Sequence, residues 1–168
     1  MATVGLISDT HGWLDPEFAQ LFAACEVILH AGDIGEEAVL EELGAIARTE
    51  AGRGNIDGGP LRHLPLTRVA EVQGRRIALL HIAGSPTRPN KAAQELIKAE
   101  APDVLVVGHS HIAVAGRVHG TLWINPGAAG RQGFHDKRFA ALLHIADDGT
   151  LSLDRVHLGP RSELRREP

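Results

Sequence analysis

Residues 104–111 read Val-Leu-Val-Val-Gly-His-Ser-His. Four consecutive apolar residues leave no polar face, so this segment is expected to be a central strand covered on both sides. Gly108 ends the run, and two imidazoles spaced i, i+2 follow it. That spacing suits divergence toward two neighbouring metal ions; the plain alternative is a polar loop with two coincidental histidines. The same arrangement recurs outward along the chain. A strand over 3–7 ends at Ser8-Asp9-Thr10-His11-Gly12, and one over 27–30 leads into Ala31-Gly32-Asp33. Residues 46–53 are ambiguous, with a strand favoured by their position before Gly54-Asn55-Ile56-Asp57. A further apolar run, Ile77 to Leu80, delivers His81.

Short apolar runs alternating with amphipathic stretches have the rhythm of an α/β domain. Asp15 and Pro16 read as N-cap and first residue of a helix with Phe18, Leu21, Phe22 and Cys25 on one face. A second helix is expected over 36–43, ended by Gly44. Asp57-Gly58-Gly59-Pro60 reads as a turn, and strands over 68–72 and 76–82 flank Gln73-Gly74 as a hairpin. Asn90 caps a helix running to Glu100, with Ala93, Leu96 and Ile97 inward and Pro102 beyond its end. Strands follow over 113–118, 121–124, 139–145 and 151–158, the last two joined at Asp148-Gly149. No repeat or linker divides the chain, so a single domain is expected over 1–160, with a charged, frayed tail over 161–168.

At 168 residues the chain has about one domain's length, enough to bury roughly 70% of its unfolded surface. It is 43% apolar and 23% charged, with net charge −4, so no sequence-independent grip on nucleic acid or anionic membrane is expected. The absence of Tyr weakens base stacking further. Cys25 is the sole cysteine, which excludes an internal disulfide and a thiolate metal cluster. Neither a signal-peptide pattern nor an apolar run of membrane-spanning length is present, so a cytoplasmic protein without membrane partners is expected. Ten histidines are many for this length and raise the question of a metal.

Each candidate has a duller reading when taken alone. Asp9 and His11 can share a site only where the backbone leaves its strand, which Gly12 permits. Asp33 beside Gly32 commonly makes a turn, Asn55 suits a left-handed turn position, and His81 could be a satisfied core histidine. Together, five strand ends carrying carboxylate, amide and imidazole groups match the ligand set of borderline to hard divalent metals. Other motifs fail: Gly52-Arg53-Gly54 is not completed as a dinucleotide fingerprint, and there is no phosphate loop or nucleophile elbow.

The order Asp-x-His, Gly-Asp, Gly-Asn-x-Asp, His, Gly-His-x-His resembles the calcineurin-like metallophosphoesterases. With Ser8 to Gly12 and Asn125-Pro126-Gly127, it is similar to their small bacterial and archaeal phosphodiesterase branch, which includes relatives of the retromer scaffold subunit. The resemblance spans residues 4 to about 131. It implies a four-layer αββα sandwich of two mixed β-sheets flanked by helices. It also implies two divalent cations: Asp9, His11 and His111 on the first, Asn55, His81 and His109 on the second, and Asp33 bridging both. A hydroxide held between cations about 3.5–4 Å apart would attack phosphorus in line, with Asn55 and His109 near the phosphoryl group. Mn²⁺ leads the expected metals, ahead of Fe²⁺, Zn²⁺, Co²⁺ and Ni²⁺. The net positive charge of such a centre suits a small phosphate ester, with Arg88 and Arg131 as candidate phosphate contacts.

Departures from the family pattern refine the expectation. Ile56 stands where many members carry a His that assists the leaving group, which favours phosphodiesters or aryl-type esters over alkyl monoesters. Ile82-Ala83 replace a Gly-polar continuation after His81, and Asp57 is left a turn-capping role. Ile34-Gly35-Glu36-Glu37 after Gly-Asp is unlike the Ser/Thr protein phosphatases. The expected activity is therefore a metal-dependent phosphodiesterase. Its alternatives are a non-catalytic metal-binding scaffold, against which the intact His111 speaks, and a phosphomonoesterase or nucleotidase. The sequence leaves oligomeric state open.

Overall fold

The computed structural model describes residues 1–164. Two five-stranded sheets face each other. The first takes β1 (Ala2–Ile7), β2 (Val27–His30), β3 (Arg48–Ala51), β11 (Lys137–Ile145) and β12 (Leu151–Pro160), in the order β12-β11-β1-β2-β3. The second takes β4 (Thr67–Val72), β5 (Arg75–Leu80), β8 (Val104–Val107), β9 (Val114–Val118) and β10 (Thr121–Asn125), in the order β4-β5-β8-β10-β9. A two-stranded ribbon, β6 (Gly84–Ser85) and β7 (Arg88–Pro89), follows β5.

Alternation along the strands builds the layers. Val4, Leu6, Val27, Leu29, Ile77, Leu79, Val104 and Val106 meet between the sheets in one core. Their neighbours point outward, as period two requires. Ile28 packs under Phe18 and Phe22 of the first helical segment and under Val39 and Leu43 of α2 (Glu37–Ile46). Ala78, Leu80, Leu105 and Val107 pack with Ala93 and Leu96 of α3 (Lys91–Glu100). Four layers result, as expected. β8 is buried at every position and pairs in parallel with both β5 and β10.

This topology places the site. β1, β2 and β3 run parallel in one sheet, and β5, β8 and β10 run parallel in the other. Their carboxyl ends therefore carry the segments beginning at Asp9, Asp33, Asn55, His81, His109 and Pro126. Such strand ends are where open α/β sheets hold their ligands.

Several local expectations hold to the residue. Asn90 caps α3 by accepting a hydrogen bond from the Ala93 N–H at 2.9 Å, and the 73–74 hairpin turns on two left-handed residues, Gln73 (φ 51°) and Gly74 (φ 73°). Others are corrected. The first helix, α1, spans only Phe18–Leu21. Asp15 is drawn away from a full N-cap role, accepting from the Glu17 N–H at 2.9 Å while its other oxygen pairs with Arg138 at 2.9 Å. The apolar face was read correctly, since Phe18, Phe22 and Cys25 are buried. α2 runs through Gly44 to Ile46. A Cβ at Gly44 would meet nothing within 4 Å, so its cost is the roughly 1 kcal/mol of an exposed helical glycine. Gly59–His63 forms a 3₁₀ turn rather than a simple β-turn.

The expected tail starts differently. Arg161–Leu164 form α4, and Arg161 is buried, donating from Nε to the Gly130 carbonyl at 2.9 Å and from Nη2 to the Ala128 carbonyl at 3.2 Å. Residues 165–168 of that tail lie outside the described residues. No helix among the described residues is long and apolar enough to cross a membrane.

Candidate metal centre

The backbone turns sharply at the strand ends. Asp9 (φ 55°), His11 (φ 49°), Asp33 (φ 55°), His109 (φ 70°) and His111 (φ 61°) all lie in the left-handed region. Single left-handed residues cost roughly 1–2 kcal/mol each, somewhat less for Asp. Five of them at one edge, all with ligand-type side chains, mark a site that strain has been accepted to build.

Two glycines let the loops close in. A Cβ on Gly108 would lie 2.2 Å from Ser8 Oγ and 2.8 Å from both Asp9 Oδ2 and His81 Nδ1. One on Gly54 would lie 2.1 Å from the Asp33 nitrogen. These glycines precede His109 and Asn55, and they are required for close approach rather than for a special φ.

Two groups of ligand-type atoms converge, each within 4.8 Å: Asp9, His11 and His111 in one, Asp33, His81 and His109 in the other. Asp33 reaches toward both. Its Oδ1 lies 3.2 Å from His81 Nε2 and its Oδ2 lies 3.7 Å from His11 Nε2. Asn55 joins the second group through a 3.1 Å contact between its Oδ1 and His109 Nδ1. All seven expected ligands are therefore brought to one place.

The surrounding hydrogen bonds leave one face of each ligand open. Asp9 Oδ2 accepts from Ser8 Oγ at 2.6 Å and from the His109 N–H at 3.2 Å, while its Oδ1 is buried with no hydrogen-bond partner. His81 Nδ1 donates to the Ala31 carbonyl at 2.8 Å, which turns Nε2 toward the carboxylates and leaves it without an aligned partner. His11 Nε2 and His111 Nδ1 are also buried and unpartnered. His111 turns Nε2 toward Asp9 Oδ1 at 3.2 Å and its Nδ1 toward Gly133, so three unpartnered atoms, Asp9 Oδ1, His11 Nε2 and His81 Nε2, aim into one cluster and would carry a large desolvation cost without a ligand. The donor set of carboxylate oxygen and imidazole nitrogen, with the second nitrogen of His81 tied to a backbone carbonyl, fits divalent metal binding.

Electrostatics agree. Burial by itself would raise the Asp9 carboxyl, but the imidazoles of His11 and His111 beside it, the charge of His81 and the Ser8 hydroxyl hold it well below the usual carboxylate range. Burial likewise opposes ionisation of Asp33, and His81 with the Ile56 N–H outweighs it. His81 is pushed down by burial and drawn up further by Asp33 and Asp9. The field that pulls a proton onto His81 is the field that would attract a cation.

Three further residues brace the cluster. Asp57 is not merely a turn cap. Its Oδ1 accepts from Gly35 N–H at 3.0 Å and its Oδ2 from Gly54 N–H at 2.7 Å, tying the Asp33 loop to the Asn55 loop. Asn125 donates to the Gly108 carbonyl at 3.1 Å and to Ser110 Oγ at 3.0 Å, bracing the loop of His109 and His111. His30 is wholly buried, accepts from Gly32 N–H at 3.1 Å through Nδ1, and meets Thr10 Oγ1 at 3.0 Å through Nε2. Burial pushes its pKa down to about 4. Each had a local signal: Asp57 its place in Gly-Asn-x-Asp, Asn125 its place in Asn-Pro-Gly, and His30 its position just before Gly-Asp, where support of Asp33 and a surface role at the strand end are both open readings.

The two arginine candidates separate. Arg131 follows Gly130, whose N–H donates to the Asp9 carbonyl at 3.1 Å, and its guanidinium lies 5.8 Å from the Trp13 ring. Arg88 belongs to β7 rather than to a loop, and its side chain makes no hydrogen bond or ion pair among the described residues. A groove of about 850 Å³ between the end of α3 and the β9–β10 turn contains none of the seven ligands; chemistry, not volume, locates the site.

Comparison with known proteins follows the same line. The family model for the calcineurin-like phosphoesterase superfamily domain matches residues 2–148. A probable metallophosphoesterase of Methanothermobacter thermautotrophicus is 30% identical over 130 residues, covering 74% of this chain and 76% of that protein. Vps29 from Chaetomium thermophilum superposes with a TM-score of 0.72 at 22% identity, covering 95% of this chain and 97% of that one. An archaeal phosphodiesterase superposes with a TM-score of 0.71 at 23% identity, covering 92% and 99%. At those identities the two structures report on the fold alone.

Proposed function

Since the chain belongs to the calcineurin-like phosphoesterase superfamily, we propose that it is a metal-dependent phosphodiesterase with two divalent cations at the cluster. Asp9, His11 and His111 would hold one, Asn55, His81 and His109 the other, and Asp33 both. Mn²⁺ leads the candidates, with Fe²⁺, Zn²⁺, Co²⁺ and Ni²⁺ as alternatives. The observation that carries this reading is the division of Asp33: one oxygen faces His81 of the second group and the other faces His11 of the first.

Divalent cations at such a centre supply Lewis acidity toward a phosphoryl oxygen and water acidic enough to act as nucleophile near neutral pH. The chain's own residues supply position. Asn55 and His109 are the exposed members of the cluster, and so the pair an incoming phosphoryl group meets. Arg131, beside the Asp9 loop, is the arginine placed to pair with its charge. Ile56 follows Asn55 and is 45% exposed; an aliphatic side chain cannot protonate a leaving oxygen. Esters whose leaving group departs without such help fit best, which favours diesters over alkyl monoesters.

Chelation tests this directly. Stripping the protein of divalent metal should lower hydrolysis of bis(4-nitrophenyl) phosphate at least a hundredfold, and Mn²⁺ should restore it. Hydrolysis that survives chelation would overturn the reading. Two bound metals with no turnover of any diester or monoester would favour a scaffold; preference for nucleoside monophosphates would favour a nucleotidase.

A further inference from the structure

Apart from Met1, the exposed large hydrophobic residues among those described are Ile56, Leu66, Ile82, Ile112 and Phe134, ranging from 42% exposed at Ile82 to 100% at Phe134. Their placement is not scattered. Ile56, Ile82 and Ile112 each directly follow a ligand of the proposed centre, namely Asn55, His81 and His111. Exposed apolar groups gathered at a polar site mark binding rather than chance.

Four of these residues line two grooves, Ile112 and Phe134 one and Leu66 and Ile82 the other, and each groove opens on a different ligand group; Ile56 lines neither. One, of about 600 Å³, runs from His111 past Ile112 and Phe134 to Phe139, Lys137 and Arg155. The other, of about 250 Å³, is lined by Asn55 and His81 together with Leu66, Leu80, Ile82 and Arg53. The first falls in the size range of ordinary small-molecule pockets and the second below it.

Their chemistry differs as well. In the larger groove Arg155 lies 5.7 Å from the Phe139 ring, and Phe134 offers a ring with no cover of its own. An aromatic group entering there would bury Phe134 and extend a cation–aromatic stack. The Lys137 ammonium makes no hydrogen bond or ion pair among the described residues and would favour acceptor atoms on that group. The smaller groove offers aliphatic Leu66 and Ile82, with Arg53 already donating to the Arg62 carbonyl at 2.9 Å.

We propose that the centre is shaped for an unsymmetrical phosphodiester, with an aromatic ester arm in the groove beside His111 and a small aliphatic arm in the groove beside His81. The proposal rests on the phosphodiesterase reading above and specifies its substrate class. Hydrolysis would add water across one P–O bond and release an alcohol or phenol together with a phosphomonoester. A protein partner is the less suited occupant, because a continuous apolar surface would cover the polar cluster lying between the two grooves.

The test separates binding from turnover. Methylphenylphosphinate and dimethylphosphinate mimic diesters but contain no ester bond to cleave. Calorimetry on the Mn²⁺-loaded protein should show the phenyl compound binding at least tenfold more tightly than the dimethyl one. Diphenylphosphinate should gain nothing over methylphenylphosphinate. Phe134→Ser should reduce the phenyl preference below threefold, and Ile112→Ser should act in the same direction. A ratio near one, or a ratio unchanged in both variants, overturns the proposal. If diesters are still cleaved, the phosphodiesterase reading survives that failure; if no metal-dependent cleavage occurs, the earlier reading falls whatever the ratio. Concentration-dependent dimerisation suppressed by Phe134→Ser, with no phenyl preference, would assign the groove to a second copy of the chain and also overturn it.

Discussion

The two halves of the ligand cluster are built differently. Asp9, His11 and His111 form a recessed group, with the three side chains 0%, 19% and 10% exposed. Asp9 Oδ1 and His11 Nε2 are buried there with no hydrogen-bond partner, and His111 Nε2 lies 3.2 Å from that Asp9 oxygen. The other group begins from equally buried Asp33 and His81 but is completed by exposed Asn55 and His109, which contact each other at 3.1 Å. The first group thus holds two unmet polar atoms, whereas in the second Asn55 and His109 meet each other and only His81 Nε2 is unmet. Unmet polar atoms drive tight binding when a ligand meets them, so the recessed group should hold its metal more firmly and the solvent-facing group should exchange it. Asp33 faces both groups, one oxygen toward His11 and the other toward His81.

The largest expected effect comes from altering that residue. Asp33→Asn should lower diester hydrolysis more than a hundredfold and leave less than one tightly bound metal per chain by elemental analysis. Retention of two metals would remove Asp33 from the bridging role. Next come substitutions confined to one half. His111→Phe should empty the recessed group, while His109→Ala, which removes a proposed ligand, should weaken only the solvent-facing metal, by more than the roughly 10–100-fold that follows loss of a ligand's supporting contact. Titration of the second variant should still show one tight site; equal losses in both variants would erase the distinction.

A smaller effect tests the tie between the loops. Asp57→Ala leaves Gly35 and Gly54 N–H groups without their acceptor, at a cost of roughly 1–3 kcal/mol by denaturant unfolding. It should weaken the solvent-facing metal more than the recessed one. The mildest prediction concerns pH. The His30 pKa is lowered from 6.5 to about 4 in the folded chain, so its contribution to stability is complete above pH 6.5 and is lost as pH falls toward 4. Between pH 6.5 and 5 that loss should be on the order of 2 kcal/mol. His30→Gln should flatten the pH dependence, and an unchanged slope would show that other groups set it.

What was legible in the sequence follows from how local its cause is. β2, β8 and α3 were readable because apolar runs and a capping Asn act within a few residues. α1 is shorter than its apolar period suggests because the turns on either side of it close with i→i+3 bonds, such as Ala19 N–H to the Pro16 carbonyl and Cys25 N–H to the Phe22 carbonyl. Gly44 failed as a stop because the helix continues around it to place Ile46 against the same core as Leu43. The ligand residues stood out because they interrupt apolar strands with scarce, chemistry-bearing side chains. Their left-handed backbones, the braces from Asp57 and Asn125 and the two grooves depend on contacts between distant loops, which no window of sequence displays. The burial of Arg161 has the same origin, since its acceptors include the carbonyls of Ala128 and Gly130.

In the first sheet, β1 is flanked by β2 on one side and by β11 on the other. Ala2 thus aligns with Ile145, and Leu6 with Ala141. During synthesis that second flank does not exist until residues 141–145, which pair with β1, have been made. Until then the strand leading into Asp9 has an unpaired margin, open to pairing with another nascent chain. Pulse-labelled translation intermediates stalled before β11 should be more protease-sensitive and chaperone-dependent than those stalled after it.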